Sequence, residues 1–284
     1  DLLKWEQKGI VIAQPITETD SMKMVPWSGA VCSREGKTYA WVNRWGDAIY
    51  FTSSTDGINW EKEEKTTGTE KLAKSEAQVF WHENSQKWVM IAFERDSTST
   101  FILNSSDGLY WEETSKFNYT FGFPKLYELP VDRKIDDTRW VFATETGTYM
   151  LGDFDGKKFN VKTSIRRFNY SKSIGSTVFF KHTKSDKMLA VSNIKGEQLS
   201  DLPSRGQLTF PVEVFLHEFE SGVELLQLPC AELEELHTKS YLWEEKKIYP
   251  GIKNNILSSL KGSELHFKGV IDVKNSDQFG FIIR

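Results

Sequence analysis

The stretch "NSSDGLYWEE" at residues 104–113 decides how this chain is read, because it has copies. "SSTDGINWEK" at 53–62 repeats its Asp-Gly pair and the tryptophan that follows, and "GDFDGKKFNV" at 152–161 is a third version with Phe159 in place of the tryptophan. The three aspartates, Asp56, Asp107 and Asp155, are 51 and 48 residues apart. A second pair of segments keeps the same interval: "VFWHENSQKWVMIA" from Val79 and "VFFKHTKSDKMLAV" from Val178 lie 99 residues apart, two periods. Asp-Gly is a turn pair, since glycine takes positive φ without steric cost. The apolar runs between turns, such as 88–93 and 140–144, are short, and helical periodicity is nearly absent. The chain therefore reads as repeated antiparallel sheets. Asp56, Asp107 and Asp155 are turn formers in this reading rather than catalytic carboxylates, and Trp111 packs between units.

A period near 50 with room for four short strands is what a propeller blade requires, because one twisted sheet buries its faces only against neighbouring sheets around an axis. Four units are expected, at about 25–63, 75–115, 122–162 and 174–220. "DLLKWEQKGIVI" at the start reads as the tail of a preceding unit, with Trp5 where Trp60 and Trp111 stand. After a polar link, "SELHFKGVIDV" and "QFGFIIR" alternate like two strands of a new sheet and would leave open edges, so the chain reads as a piece of something longer.

Composition narrows the function. With 284 residues, 39% hydrophobic and 13% aromatic, the chain can bury at least one large core. Thirty-six Lys and Arg against forty Asp and Glu, without like-charge blocks, provide no electrostatic footprint for nucleic acid or an anionic membrane. No run approaches the roughly 18 apolar residues of a membrane-spanning helix, and the first residues lack the regions of a signal peptide. Cys32 and Cys230 are far apart and read as buried structural thiols. Asn104, Asn118 and Asn169 each open a glycosylation sequon. His82, His182, His217, His237 and His266 show no paired metal-ligand spacing and read as surface or interface residues, and Ser176 lacks a nucleophile-elbow pattern.

"DLLKWEQKGIVI", "PWSGAV", "QVFWHENSQKWVMI", "FGFPKLYELPVD", "YMLGDFDGKKF", "RGQLTFPVEVFL" and "LLQLPCAELEEL" stand in the order and at about the spacing seen in glycoside hydrolase family 32, and the chain resembles that family over nearly its whole length. The resemblance implies an all-β protein: a five-bladed β-propeller, about four blades of it present in this chain, followed by the start of a C-terminal β-sandwich. The corresponding divisions are residues 1–240 for the propeller with its first blade largely absent, 241–256 for the linker, and 257–284 for the first sandwich strands. No metal or cofactor is implied.

Family members are retaining fructosidases, in which two carboxylates about 5 to 5.5 Å apart act as nucleophile and acid/base. The family nucleophile lies in a Trp-Met-Asn-Asp-Pro-Asn-Gly segment that nothing here matches. The acid/base belongs to a Glu-Cys-Pro segment; Gly122 and Phe123 stand there before Pro124, and Gly122 has no proton to give. A third carboxylate belongs to Arg-Asp-Pro, where Ser75, Glu76 and Ala77 stand, leaving Glu76 as the candidate transition-state stabiliser. No catalytic residue is assigned. Arg95-Asp96 imitates that motif but follows the wrong strand. Trp27 and Ser28 align with the family's Phe-Ser-Gly-Ser sugar-contacting segment, and Trp27, Ser28, Glu76, Phe123 and Tyr170 are the expected substrate-binding set.

The resulting expectation is a fructan-type carbohydrate-recognising protein without glycosidase activity in this chain. Its partner would be an oligo- or polysaccharide, not nucleic acid or a membrane, and a homo-oligomer is left open. Two alternatives stand beside it. One is an active fructosidase whose nucleophile lies in a missing N-terminal part, with Glu76 or Glu145 standing in as the acid; the other is a propeller platform for protein assembly. An extracellular or periplasmic location follows from the resemblance.

Overall fold

The computed structural model describes residues 4, 6, 9–10, 12, 26–44, 47–72, 75–94, 99–117, 123–171, 173–182, 187–195, 207–249, 256–258, 260–262 and 265–274. Among them are eighteen strands, three short 3-10 turns and no α-helix. The chain divides into two compact units, Asp1–Leu236 and His237–Arg284.

The first unit is a succession of antiparallel meanders. One comprises β1 (Pro26–Arg34), β2 (Lys37–Arg44), β3 (Ala48–Ser54) and β4 (Glu64–Lys65), hydrogen-bonded in that order. The second comprises β5 (Glu76–His82), β6 (Lys87–Glu94), β7 (Ser99–Ser105) and β8 (Glu112–Phe117). The third runs β9 (Pro124–Val131), β10 (Lys134–Thr144), β11 (Thr148–Phe154) and β12 (Phe159–Val161), with β13 (Arg166–Arg167) also on β11. The fourth holds β14 (Ile174–His182), β15 (Lys187–Ile194), β16 (Gln207–Leu208), β17 (Val212–Phe219) and β18 (Gly222–Pro229). A single parallel pair, Leu216 with Val131, links β17 to β9, so the third and fourth meanders count as one ten-stranded sheet. Each meander falls on one of the four sequence units, the last extending to Pro229. Among the described residues the sheets are not closed into a ring.

Why the strands read as continuous apolar runs is clear from β6. Successive side chains point to opposite faces. Trp88, Met90 and Ala92 pack with Trp41 and Ile49 of the first meander. Val89 and Ile91 pack with Leu126, Phe142 and Met150 of the third. The third meander repeats the arrangement, turning Val141, Ala143, Tyr149 and Leu151 toward Phe179, Ala190, Val214 and Leu216 of the fourth. The meanders therefore stack face to face in chain order, and a strand buried on both sides has no polar position to spare.

The Asp-Gly turns connect the third and fourth strands of their meanders, and those of the second and third meanders also dock onto the meander before. In the second, Asp107 Oδ1 accepts from the N–H groups of Leu109 at 2.8 Å and Tyr110 at 2.9 Å, and Gly108 takes φ 83°. This conformation turns Gly108 O outward, where Trp111 Nε1 donates to it at 3.0 Å and Trp41 Nε1 of the first meander at 2.8 Å. In the third, Asp155 Oδ1 accepts from Lys157 N and Lys158 N, and Gly156 O accepts from Asn104 Nδ2 of the second meander at 2.8 Å. A Cβ on Gly156 would lie 2.7 Å from His82 Nδ1. Asp56 makes the same turn in the first meander, but a Cβ on Gly57 would meet nothing within 4 Å.

Several smaller expectations are answered here. Trp111 is buried between meanders, 6.1 Å from Trp41 between ring centroids. Both cysteines are free thiols; Cys230 is buried and pushed up to about 11 by desolvation, whereas Cys32 is only half-buried. Asn104 is buried with its amide engaged, which removes that sequon from use. His82 is buried against Trp140 and Phe154, an interface residue between the second and third meanders. Trp5, Arg95, Asp96, Asn118 and Gly122 lie outside the described residues, as does the segment "QFGFIIR". In the second unit the described residues hold a turn at 256–258 and no strand.

Candidate functional site

One group of polar residues that meet across meanders sits at the beginnings of the first strands and the ends of the second. Ser75, just before β5, is fully buried. Its carbonyl accepts from Ser28 Oγ of β1 at 3.4 Å and from Asn43 Nδ2 near the end of β2; Asn43 Nδ2 also reaches Leu72 O at 3.2 Å. Asn43 Oδ1 and Ser75 Oγ, both buried, have no hydrogen-bond partner among the described residues. Unspent bonding capacity of this kind is suited to a polyhydroxylated ligand or to water.

Glu76, half-buried, opens β5. Two residues on, the Gln78 amide donates from Nε2 to Leu126 O at 3.0 Å and accepts at Oε1 from Leu126 N at 2.6 Å. This two-point bond sets β5 against β9. It places Lys125, the residue before Leu126, within electrostatic reach of Glu76 and of Glu145 in the β10–β11 turn. Burial pushes the Lys125 ammonium below the usual lysine range, and the two carboxylates oppose that shift. Glu145 Oε2 accepts from Ser176 Oγ of β14 at 2.9 Å. Hydrogen bonds thus join Ser28 to Ser75 and Ser176 to Glu145 across meanders, with Lys125 in electrostatic reach of Glu76 and Glu145.

Of the expected binding residues, Ser28 and Glu76 belong to this group. Trp27 lies on β1 next to Ser28, and its side chain is not among those described. Phe123 is buried and packs edge-on against Phe93, with ring centroids 5.7 Å apart. That contact engages its ring with the second meander. Tyr170 is 82% exposed. The backbone just before it is tied to the Glu145 turn, since Phe168 N and Asn169 N both donate to Gly147 O at 3.0 and 3.3 Å. No group of three His, Cys, Asp or Glu that could hold a metal occurs among the described residues.

Sequence reasoning missed Lys125, Gln78 and Asn43. The one signal for Lys125 is a charge placed between Pro124 and Leu126 at the start of an otherwise apolar strand. Strand alternation alone reads it as an ordinary exposed lysine. Its relation to Glu76 crosses 49 residues and exists only once β5 lies beside β9.

The all-β body of successive meanders is shared with solved β-fructofuranosidases. A β-fructofuranosidase from Schwanniomyces occidentalis superposes with a TM-score of 0.56 at 20% identity, over 68% of this chain and 44% of that one. A Bombyx mori β-fructofuranosidase does so at 0.56 and 15%, over 77% and 53%. The glycosyl hydrolases family 32 N-terminal domain matches residues 1–229, and the chain belongs to that family. Among curated relatives, a levanase from Bacillus subtilis is 27% identical over 72% of this chain and 34% of its own length. An invertase from Wickerhamomyces anomalus is 31% identical over 32% of this chain and 20% of its own. The chain spans about a third of the length of that levanase.

Proposed function

We propose that this chain is a fructan-type carbohydrate-recognising member of family 32 in which glycoside hydrolysis has been lost. The observation that carries the reading is Gly122, which aligns with the family's proton donor and has no side chain. A retaining mechanism needs a carboxylic acid there to protonate the leaving oxygen, and a hydrogen atom cannot substitute for it. What persists is suited to binding. Glu76 and Ser28 stand with Asn43, Ser75 and Lys125, so hydroxyl, amide, carboxylate and ammonium groups converge from neighbouring meanders. Tyr170 offers an exposed aromatic face of the kind that stacks on sugar C–H groups.

The four meanders are, in this proposal, four blades of a five-bladed propeller, and residues 257–284 begin a sandwich. An oligo- or polysaccharide outside the cell is the partner. The relative from Meyerozyma guilliermondii, 33% identical over 28% of this chain, is an extracellular exo-inulinase.

Isothermal titration against levan, inulin and short fructo-oligosaccharides tests the binding half, with saturable heat from at least one of them as the expected result. The catalytic half is tested by reducing-sugar release, expected to be nil. A second reading, an active fructosidase with another carboxylate as acid, is favoured by the nearness of Glu76 and Glu145 to Lys125. Sugar release that disappears in Glu76→Gln would establish it and end the first.

A further inference from the structure

We propose that His82 is an acid-sensitive latch between the second and third meanders: the neutral ring closes that joint, and its protonation opens it. His82 ends β5 with only 4% of its surface exposed. Its ring is walled by the neighbouring meander, 5.6 Å from Trp140 of β10 and 5.3 Å from Phe154 of β11 between centroids. The backbone of Gly156 closes the edge, since a Cβ there would lie 2.7 Å from both His82 Nδ1 and Ser85 Oγ. The corresponding glycine of the second meander, Gly108, packs instead on Trp41 and Phe51. Gly156 is thus seated on a group that changes charge near neutral pH, and Gly108 on groups that carry no charge at any pH.

The hydrogen bonds of the ring require it to be neutral. Ser85 N donates to Nδ1 at 3.3 Å and Ser85 Oγ lies 2.8 Å from it, so Nδ1 is the acceptor and the ring proton sits on Nε2. Nε2 is buried with no partner among the described residues. A proton added to Nδ1 would face the Ser85 N–H and remove the cap of the Glu83–Ser85 turn, leaving a desolvated cation with its Nε2–H unpaired. The charged groups around the ring are Glu83 of its own turn, Lys87 opposite it on β6, Glu128 of β9 and Asp155 of the docked turn. The three carboxylates favour the cation, but each is bonded elsewhere: Glu83 to Gln86, Glu128 to Thr138, and Asp155 to the amides of Lys157 and Lys158. Burial outweighs them and holds the ring below the usual histidine range. The stabilisation given by the neutral ring is therefore complete above the unfolded pKa of about 6.5 and is lost as pH falls through the folded one.

The test is hydrogen exchange of the whole chain, followed by mass spectrometry at about pH 7.5 and about pH 5 and corrected for the intrinsic exchange rate. Amides of the 155–158 turn should lose protection several-fold at the lower pH, while those of the 107–110 turn, the internal control, keep theirs. His82→Asn retains an acceptor for Ser85 N and cannot titrate, so in that variant the two turns should respond alike. Unchanged protection of the 155–158 turn in the wild type overturns the proposal. So does an equal loss in both turns, or a loss that persists undiminished in His82→Asn. Should His82→Asn fail to fold, the wild-type ring is followed by nuclear magnetic resonance of labelled histidine: titration below about 6.5 supports the latch, and titration at or above that value overturns it.

Discussion

Asp107 shows how much one side chain does in this chain. Its carboxylate is exposed, yet it accepts from two backbone N–H groups and from Ser105 Oγ, and these bonds hold it well below the usual carboxylate range. A lowered folded-state value means that the stabilisation is present above the unfolded pKa of about 3.9 and is lost as pH falls through the folded one. Urea midpoints measured from neutral pH down to about pH 2 should therefore fall more steeply for the wild type than for Asp107→Asn. Midpoints that track each other throughout would show that the charge contributes nothing. Gly108 is as tightly specified. Its φ of 83° disfavours any side chain, and a Cβ would sit 3.1 Å from Trp41 Cζ2. Gly108→Ala should destabilise by more than about 1 kcal/mol, the size of an incompatible backbone substitution, as read from the same urea curves.

Between elements, the coupling is made by a few polar bonds laid over apolar faces. Gln78 is the clearest of them, because one amide satisfies both backbone groups of Leu126 across the gap between β5 and β9. Gln78→Ala leaves that N–H and C=O without their partner and should cost about 1–3 kcal/mol. On the proposed carbohydrate-binding reading it should also disturb the approach of β5 to β9 beside Glu76, so saccharide affinity should fall along with stability. A variant that loses stability but binds sugar unchanged would separate the clamp from the site. Two of the three Asp-Gly turns work at the same scale, docking on the preceding meander through a glycine carbonyl, Gly108 to Trp41 and Gly156 to Asn104. The repeat found in the sequence is therefore both a turn and a joint. The 48 residues from Asp107 to Asp155 are the length of chain between the two joints.

For the whole molecule, the division at Leu236 matters most. The first unit holds every strand among the described residues and every buried cluster, while the described residues of the second are largely exposed and without strands. Ending the chain after Leu236 should leave the near-ultraviolet circular dichroism and the melting temperature of the first unit essentially unchanged. A large drop in melting temperature would mean that residues 237–284 contribute to its stability.

The strand pattern, the four units and the three turns were legible in the sequence, because each depends on neighbours in the chain: alternation along a strand, or a glycine beside an aspartate. Family membership was legible too, since "FGFPKLYELPVD" and its companions carry it without coordinates. Ser28 and Glu76 were singled out by their place in those motifs; the contacts of Gln78 and Asn43, the surroundings of Lys125 and the packing of Phe123 on Phe93 were not legible there. Such roles are decided by which residues from different sheets come to face one another. Desolvation and Coulomb energies depend on distance through space, and no local pattern in the chain records a distance that only the packed sheets create.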